Sequence, residues 1–574
     1  MHAGARRLAE SRARPYARSI RYGHLATIGL AVGALVASAC SALIDRADSQ
    51  CSSDGDCARF GAFACLQGGC VPATSATEAG ADAAAGPCTT TAECLAAHDG
   101  ANWICRHADQ TCVSLVSPDC PTVLGQYTSD DVVLLGALLP LYGPHASTGA
   151  ALSDALRLGV NDFAGGIPAA GGGAARPLAV MLCNESTDVD RAATHLLDDL
   201  LVSGIVGTGD SATTLGVAHD VTLPGGAFLI SPRATADLSS VSGGGLVWRT
   251  CPSVELEGDA IVALAQGVVL PAVIAANQLT TVRVALVHAS DVDSSELDTA
   301  ITTALHMNGA LATDPSNAGS FLHVDYGDPD DIADVDAAAT MASAVDAVTV
   351  TGSLPDVILL VGSTQAVTDV LAGIEAAWPV GARRPQYVVS SGLETTELLN
   401  LVDGNDSLRT RILGTAPGGN GANVDAFYGR YVGTFADGTA PQIFGVAQAY
   451  DALYALAFAE AATSKAAPLG ADLADALRLL VATGDGAAAV PVDVGPDGLA
   501  AAFAAIAAGQ SLALNGASAP LDFEPTTGGV ITDVQVWCMV PGSTPGPIVF
   551  QRSGLSYGAS SGALEGAIGA SCGQ

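Results

Sequence analysis

Ser211 is the residue whose type and position most directly suggest a binding chemistry. It lies just before a predicted helix, Thr213–Thr222, and after a short predicted strand, Ile205–Val206. The first turn of a helix has N–H groups without partners and a partial positive charge, so it favours a carboxylate. A serine there also caps the helix, and capping uses the same N–H groups. The segment therefore indicates either a cap alone or a cap that also binds a ligand.

Motifs for other chemistries do not assemble in the sequence. It contains no G-x-S-x-G, H-E-x-x-H or phosphate-loop pattern. Its ten histidines are scattered, and His288 is interpreted as a strand-end residue. We interpret an acidic run as a solvated helix start, because it lacks the spacing of a calcium-binding loop: Asp328, Asp330, Asp331, Asp334 and Asp336. We therefore predict no catalytic residue, no metal site and no cofactor.

The chain is strongly acidic. Its 23 Lys and Arg residues against 58 Asp and Glu residues give a net charge of −35. Residues 1–39 contain six arginines and one glutamate, so the chain without them would carry −40. Such a chain repels nucleic acid and anionic membrane surfaces, and neither is expected to be a partner.

The first 39 residues have the pattern of an export signal. Six arginines precede an apolar run from Leu25 to Ala37, which is too short to span a bilayer comfortably. Ala37-Ser38-Ala39-Cys40 resembles a bacterial lipobox, in which the cysteine receives a diacylglycerol and the chain is cut before it. We expect a periplasmic or cell-surface protein that contacts a bacterial membrane only through the lipid on Cys40. Ordinary cleavage after Ala39 is the alternative.

Eight cysteines form two similar clusters within a predicted tether, residues 40–125. The first cluster spans 51–70 and the second 88–112: Cys51, Cys57, Cys65 and Cys70, then Cys88, Cys94, Cys105 and Cys112. Each cluster is too small to build a core, so we predict two disulfides in each. A zinc site is the weaker alternative, because there is no C-x2-C pair and His98 and His107 lack ligand spacing.

Five further cysteines leave one without a partner. We expect Cys538 to pair with Cys572, and Cys183 to pair with Cys251, which would leave Cys120.

From about Val132 onward, short apolar runs alternate with amphipathic stretches. Val132–Leu138 is a predicted buried strand, and Gly149–Phe163 is a predicted helix with one apolar stripe. The alternation starts again at Glu257. The pattern predicts the α/β class, with two doubly wound parallel-sheet lobes after a small disulfide-rich region.

The order of these segments and their amino-acid sequences resemble those of the type I periplasmic binding proteins, specifically the leucine/isoleucine/valine-binding family of ABC-transporter receptors. The resemblance covers about residues 131–540. No one motif decides it; the ordered series does. The series includes VLLGALLPLYGP (133–144), GIVGTGDSATT (204–214), FLISPRAT (228–235), which is the most distinctive, and GVAQAYDA (445–452). It implies three hinge crossings, near 252–256, 416–422 and 512–520. Lobe 1 would be 131–253 plus 418–512, and lobe 2 would be 254–417 plus 513–574.

The resemblance also implies a ligand site. Ser211 and Thr235 match positions that bind an amino acid's α-carboxylate, and Arg233 matches one whose backbone carbonyl binds the ammonium. Arg233 replaces a small residue, and its guanidinium would either add an anion contact or point to solvent. Ala212 flanks the same turn.

Other positions depart from the family pattern. Thr148 falls where an aromatic ring often packs on the ligand. Ser363, and a residue near Ser391 or Glu394, fall where a tyrosine and an acid often occur. Asp291 and Asp293 are therefore candidate replacements for the acid.

The function implied by the resemblance is that of a non-enzymatic receptor that closes two lobes over a small ligand. The ligand would be an amino acid or a related carboxylate, and the partner an ABC permease or a sensor protein. The alternative is a non-transport lipoprotein that uses the fold for protein–protein regulation, for example of cell-envelope synthesis. The long Cys-rich segment and the diverged cleft favour this alternative.

Overall fold

A computed structural model describes the backbone of residues 63–66 and 69–72, and residues 86–572 with short gaps at 170–172, 242–243, 332–335, 351, 420, 436–440, 464, 482–488, 525–526 and 543–546. The chain divides into two compact units, Met1–Ala85 and Gly86–Gln574. In the first unit, β1 (Phe63–Leu66) and β2 (Gly69–Pro72) form an antiparallel hairpin that places Cys65 opposite Cys70. The predicted signal, the lipidation site Cys40, Asp334 and the disulfides of the first cysteine cluster lie outside the described residues.

The second unit begins with the second cysteine cluster. It contains α1 (Thr91–Ala97) and an antiparallel hairpin of β3 (Trp103–Arg106) and β4 (Thr111–Ser114). Disulfides join Cys88 to Cys105 and Cys94 to Cys112. The prediction of two disulfides in this cluster is confirmed.

Lobe 1 is built on a six-stranded sheet in the order β10-β9-β8-β6-β7-β5. All neighbours are parallel except β5 and β7, which are antiparallel. β6 and β7 are almost continuous buried apolar runs, which is typical of strands covered on both faces. Its elements are β5 (Thr122–Gly125), β6 (Val133–Leu139), α2 (Ala146–Asp162), β7 (Leu178–Asn184), α3 (Glu185–Thr194), β8 (Gly204–Val206), α4 (Ser211–Val217), β9 (Phe228–Ser231) and β10 (Val247–Arg249). π-Helical turns His195–Asp199 and Ala218–Thr222 extend α3 and α4.

The cysteine cluster at 88–112 packs directly on lobe 1. Ile104 belongs to the same buried cluster as the helix residues Leu196 and Leu197. The Arg106 guanidinium donates to the carbonyls of Asp198 and Asp199, each at 3.0 Å. The tether predicted for residues 40–125 is therefore part of lobe 1 in its second half.

One predicted disulfide is wrong. Cys183 pairs with Cys120, and Cys251 is a buried free thiol. Cys183 lies in β7, beside β5, and Cys120 lies two residues before β5, so the antiparallel pairing of these strands brings the two thiols together. The predicted pair Cys538–Cys572 is confirmed.

Lobe 2 contains an eight-stranded sheet in the order β14-β11-β15-β16-β17-β22-β23-β24. The first five strands are parallel, and the last three are antiparallel. Its elements up to the second crossing are α5 (Val254–Leu264), α6 (Leu270–Asn277), β11 (Val284–His288), α7 (Val292–Ala304), β12 (His306–Met307), β13 (Ala310–Leu311), β14 (Phe321–Asp325), α8 (Ala337–Val348), β15 (Val357–Val361), α9 (Ala372–Ala377), β16 (Gln386–Val389), α10 (Thr396–Val402), α11 (Asp406–Arg409) and β17 (Ile412–Pro417). π-Helical turns Ala265–Val269 and Ala366–Leu371 precede α6 and α9.

The continuous helix Val254–Asn277 is the one helix of the described residues that is long and apolar enough, by composition, to cross a membrane. Its most apolar window is 44% buried inside the protein. Ile261, Leu264 and Val273 face the core of lobe 2, so the helix has a packing role in this lobe.

After β17 the chain returns to lobe 1. The returning helices pack against α2, and α13 is buried along almost its whole length. The elements are α12 (Ala422–Thr434), α13 (Val446–Ala462), α14 (Gly470–Val481), β18 (Val490–Asp493), α15 (Leu499–Ala507), β19 (Leu512–Asn515), β20 (Asp522–Phe523) and β21 (Val530–Ile531), followed in lobe 2 by β22 (Val534–Pro541), β23 (Ile548–Gly558) and β24 (Ala563–Gly566).

The third crossing lies later than 512–520. Leu521, Phe523 and Val530 still belong to the core of lobe 1, and the chain joins the sheet of lobe 2 only at Val534. Asp451 of α13 explains the difference, because its carboxylate accepts from the backbone N–H groups of Ala517 and Ser518 and holds that loop on lobe 1.

Candidate functional site

The candidate site lies between the lobes, where the carboxyl ends of the parallel strands lead into helix N-termini. On lobe 1, β8 ends at Val206, and α4 begins at Ser211. Asp210 caps α4 by accepting from the Thr213 N–H at 2.7 Å. On lobe 2, β11 ends at His288, and α7 begins at Val292 with Asp293 in its first turn.

A carboxylate from lobe 2 contacts the groups that the resemblance assigns to a ligand carboxylate. Asp293 Oδ1 accepts from Ser211 Oγ at 2.6 Å and from Thr235 Oγ1 at 2.6 Å. Asp293 Oδ2 accepts from the Ser211 N–H at 3.3 Å. Ser211 and Thr235 are both buried. The three donors of lobe 1 thus form a carboxylate-binding group, here bonded to the protein's own Asp293.

The Arg233 side chain makes neither of the two arrangements considered from the sequence. Its Nε donates to the Gly209 carbonyl at 2.8 Å, and its Nη1 donates to the Phe444 carbonyl. The guanidinium also lies over the Phe444 ring, 5.0 Å from its centroid. Arg233 therefore fixes the loop before α4 against the loop before α13, and burial lowers its pKa.

The remaining predicted residues are spread around the cleft. Ala212 is exposed on α4, and Thr148 is buried in the first turn of α2. The Ser363 hydroxyl, after β15, donates to Gln365 Oε1 at 3.1 Å. Asp291 caps α7, accepting from the Ser294 N–H at 2.9 Å and its hydroxyl at 2.6 Å, and burial raises the pKa of Asp291 to about 6. None of these four makes a hydrogen bond to Ser211, Thr235 or Asp293 among the described residues.

A second set of contacts joins the lobes near α2, and sequence reasoning missed it. His145 Nδ1 lies 3.1 Å from Thr364 Oγ1, and His145 Nε2 lies 2.9 Å from Asp330 Oδ2. Ser147 Oγ donates to Glu397 Oε1 at 2.8 Å. The position of His145 in the loop after β6, at a strand's carboxyl end, is the signal that could have identified it. Asp330 was assigned to a solvated run, but it accepts from His145 and from Gln365 Nε2.

Three buried carboxyl groups lie behind the cleft. Glu257 accepts from the Ser391 N–H at 2.6 Å, the Ser391 hydroxyl at 2.7 Å and the Thr415 hydroxyl at 2.9 Å. Burial raises the pKa of Glu257 to about 7. Glu185 accepts from the Gly209 N–H at 2.9 Å, and burial raises its pKa well above the usual range.

Glu394 is the third of these carboxyl groups and has the fewest hydrogen-bond partners. It is 4% exposed, and its carboxyl group makes no hydrogen bond to any residue in the described part of the chain. Burial, and then the neighbouring Glu257, raise its pKa well above the usual range. Glu394 lines a cavity of about 40 Å³ at the hinge, together with Gln448, Ser518 and Gln535. A carboxyl group that borders a cavity and makes no hydrogen bond among the described residues favours a polar ligand or a water molecule there.

Comparisons with known proteins identify the fold. No family model matches the sequence, and no curated protein sequence matches it. The chain is similar in structure to a periplasmic binding protein type 1 from Bordetella pertussis, with a TM-score of 0.51 and 18% identity over 73% of this chain and 100% of that one. It is also similar to the branched-chain amino acid transporter substrate-binding protein LivJ from Streptococcus pneumoniae in complex with isoleucine, with a TM-score of 0.50 and 15% identity over 73% of this chain and 100% of that one. The chain has the type I periplasmic binding protein fold.

Proposed function

We propose that this protein is a non-enzymatic, extracytoplasmic receptor that closes its two lobes over an amino acid or a related small carboxylate. One observation carries the proposal. Ser211 and Thr235 of lobe 1 bind a carboxylate, that of Asp293, in the geometry that a ligand carboxylate needs. The isoleucine-bound LivJ structure, which shares this fold, adds support.

The geometry suggests how a ligand would be held. A ligand carboxylate takes the place of the Asp293 carboxylate on Ser211 and Thr235, with charge-assisted hydrogen bonds. The displaced Asp293 then lies beside the ligand and accepts from its α-ammonium. Closure follows because the ligand contacts both lobes only when they are together.

The receptor's setting is proposed on the sequence alone. A lipid on Cys40 anchors the chain outside the cytoplasm, and the closed form is presented to an ABC permease or a sensor protein. The regulatory alternative has no specific support among the described residues, and we do not propose it.

Calorimetry with a panel of amino acids and small carboxylates tests the proposed function. We expect at least one ligand to bind the wild-type protein, and Ser211→Ala with Thr235→Ala to weaken it by about 3 kcal/mol, roughly a hundredfold, through loss of charge-assisted hydrogen bonds. Thr213→Ala is the matched control, because its hydroxyl lies on the same turn but bonds to Asp210 and not to Asp293.

Asp293→Ala separates the two roles of this carboxylate. We expect it to strengthen binding of a plain carboxylate, because the competing side chain is removed. The gain for the matching amino acid is smaller, because its ammonium loses a partner. Absence of binding to every member of the panel, or equal binding by the Ser211/Thr235 double variant and the wild type, would refute the proposal.

A further inference from the structure

Two histidines and an aspartate meet on the face of the lobe 2 sheet, outside the proposed ligand site. His288 is the last residue of β11, and His323 lies on the neighbouring parallel strand β14. Leu286 is opposite His323 in the register, so His288 and His323 are diagonal neighbours on one face of the sheet. Their rings stack with centroids 5.0 Å apart. Helix α7 covers this face and presents Asp298.

One ring nitrogen of His288 makes no hydrogen bond within the described residues. Its Nδ1 lies 2.7 Å from the Ala289 carbonyl, which can only accept, so Nδ1 carries the proton. Nε2 of the neutral ring is then a lone-pair donor. This atom is buried and makes no hydrogen bond within the described residues. A histidine whose Nδ1–H is fixed by a backbone carbonyl and whose Nε2 is free has the arrangement found in metal-bound histidines.

The spacing of the three side chains suits a small ion. Asp298 Oδ1 is 2.7 Å from His323 Nε2 and 3.9 Å from His288 Nε2. All three atoms lie within 4.8 Å of one another. Metal–ligand bonds of about 2.0–2.1 Å in a tetrahedral site place ligand atoms about 3.3 Å apart, so small side-chain rotations are sufficient.

The ligand types select the class of ion. Two imidazoles and one carboxylate favour a transition metal over calcium or magnesium, which prefer oxygen ligands only. The side chain of His288 is 7% exposed and that of Asp298 is 19% exposed, whereas that of His323 is 43% exposed. The site is therefore closed on one side and open to solvent on the other, which leaves a coordination position for water. Asp325, opposite His288 in the register, adds negative charge nearby.

We propose that His288, Asp298 and His323 form a binding site for a divalent transition-metal ion of the zinc class. Binding replaces the His323–Asp298 hydrogen bond. His323 Nε2 coordinates the ion through its lone pair, so its proton moves to Nδ1 in a neutral ring and passes to solvent in a charged one. The ion joins α7 to two neighbouring strands of the sheet.

Metal titration of the full-length, untagged protein tests the site. After dialysis against a chelator, we expect calorimetry with Zn²⁺ to show one bound equivalent in the wild type. In His323→Ala and in Asp298→Asn, the affinity for that equivalent should fall at least about tenfold. Titration with Co²⁺ should give a visible absorption band that both variants lose. Zn²⁺ should also raise the midpoint of thermal unfolding of the wild type, and not of the variants.

His219→Ala is the matched control. His219 is an exposed histidine of lobe 1 that pairs with Asp220, so its removal should leave binding unchanged. His323→Ala changes an exposed side chain, and circular dichroism checks that it folds like the wild type. Failure of the wild type to bind Zn²⁺, or the same stoichiometry and affinity in wild type, His323→Ala and Asp298→Asn, would overturn the proposal.

Discussion

The carboxyl group of Glu257 is ionisable and is buried away from water. It is 1% exposed, and its three donors belong to Ser391 and Thr415. Burial outweighs these hydrogen bonds, so its pKa rises to about 7 from an ordinary 4.5. Between these values, the folded protein retains a proton that the unfolded chain releases.

Stability should therefore fall as the pH rises. The contribution of Glu257 to the free energy of unfolding is fully present below about pH 4.5 and is lost as the pH passes about 7, with a magnitude of up to about 3 kcal/mol. Urea unfolding at pH 5 and pH 8 measures it. We expect Glu257→Gln to reduce the difference between the two pH values, because the amide does not ionise.

Glu255→Gln is the control for this experiment, since Glu255 lies on the same helix but is exposed. Asp451 has the same sign of effect, because burial raises its pKa to about 7 as well. Both variants therefore keep the part of the pH dependence that comes from Asp451. An equal pH dependence in Glu257→Gln and the wild type would contradict the prediction.

At the residue scale, the places of Ser211 and Thr235 at the cleft could be predicted, because their motifs and the strand-to-helix turn that orients them are local. Their contact with a ligand stays a prediction. Asp293 was named, but its position could not be known, because it reaches Ser211 only through closure of two lobes. Glu257 was missed for another reason: its partners Ser391 and Thr415 lie in the same lobe but are distant in the chain.

Three helices of lobe 1 are joined at one carboxylate. Asp162, at the end of α2, pairs with Arg430 of α12 and accepts from the hydroxyls of Tyr450 and Tyr454 on α13. The Asp162 side chain is 6% exposed. Its loss removes a buried acceptor from a guanidinium and two phenols, which keep only their bonds to one another.

We expect Asp162→Ala to lower the free energy of unfolding by about 3 kcal/mol. Asp162→Asn should lower it by less, because the amide oxygen still accepts from a phenol. Thermal or urea unfolding measures both variants. Asn161→Ala changes the exposed neighbour and should have little effect. A similar stability for Asp162→Ala and Asn161→Ala would show that the carboxylate does not join the helices.

Most elements were predictable, because apolar runs and amphipathic stretches mark them directly. Val357–Val361 is the same in the prediction and in the structure. The short β5 was missed, since four residues with one buried position show little periodicity. That omission also explains the wrong partner for Cys183. The third crossing was misplaced because the bonds of Asp451 to Ala517 and Ser518 hold a segment that has no marked pattern of its own.

At the scale of the whole molecule, the second cysteine cluster belongs to lobe 1. The second cysteine cluster, through which the chain enters from the N-terminus, is bonded to lobe 1 through Arg106 and buried through Ile104. If Cys40 carries the proposed lipid, the chain that follows it joins the second unit through residues that pack on lobe 1.

The anchor itself is testable. We expect the full-length protein, expressed in a bacterium that processes lipoproteins, to enter the detergent phase on phase separation, and Cys40→Ala to remain in the aqueous phase. Mass spectrometry of the N-terminal peptide should show a diacylglycerol on Cys40. Cys251→Ala, which removes a buried free thiol, should partition like the wild type. Recovery of the wild type from the aqueous phase, without a lipid, would exclude the anchor.

The bond of Asp293 to Ser211 and Thr235 has a consequence for the concentrations that a receptor of this kind reports. Asp293 competes with the ligand for the same donors. The apparent Kd for the ligand is therefore the intrinsic Kd divided by the fraction of the protein in which Asp293 is not bonded to them. A preference of about 1.4 kcal/mol raises the detection threshold about tenfold. The site would then stay mostly empty at low solute concentration and fill only at high concentration. A single substitution at Asp293 would shift the concentration range over which it fills.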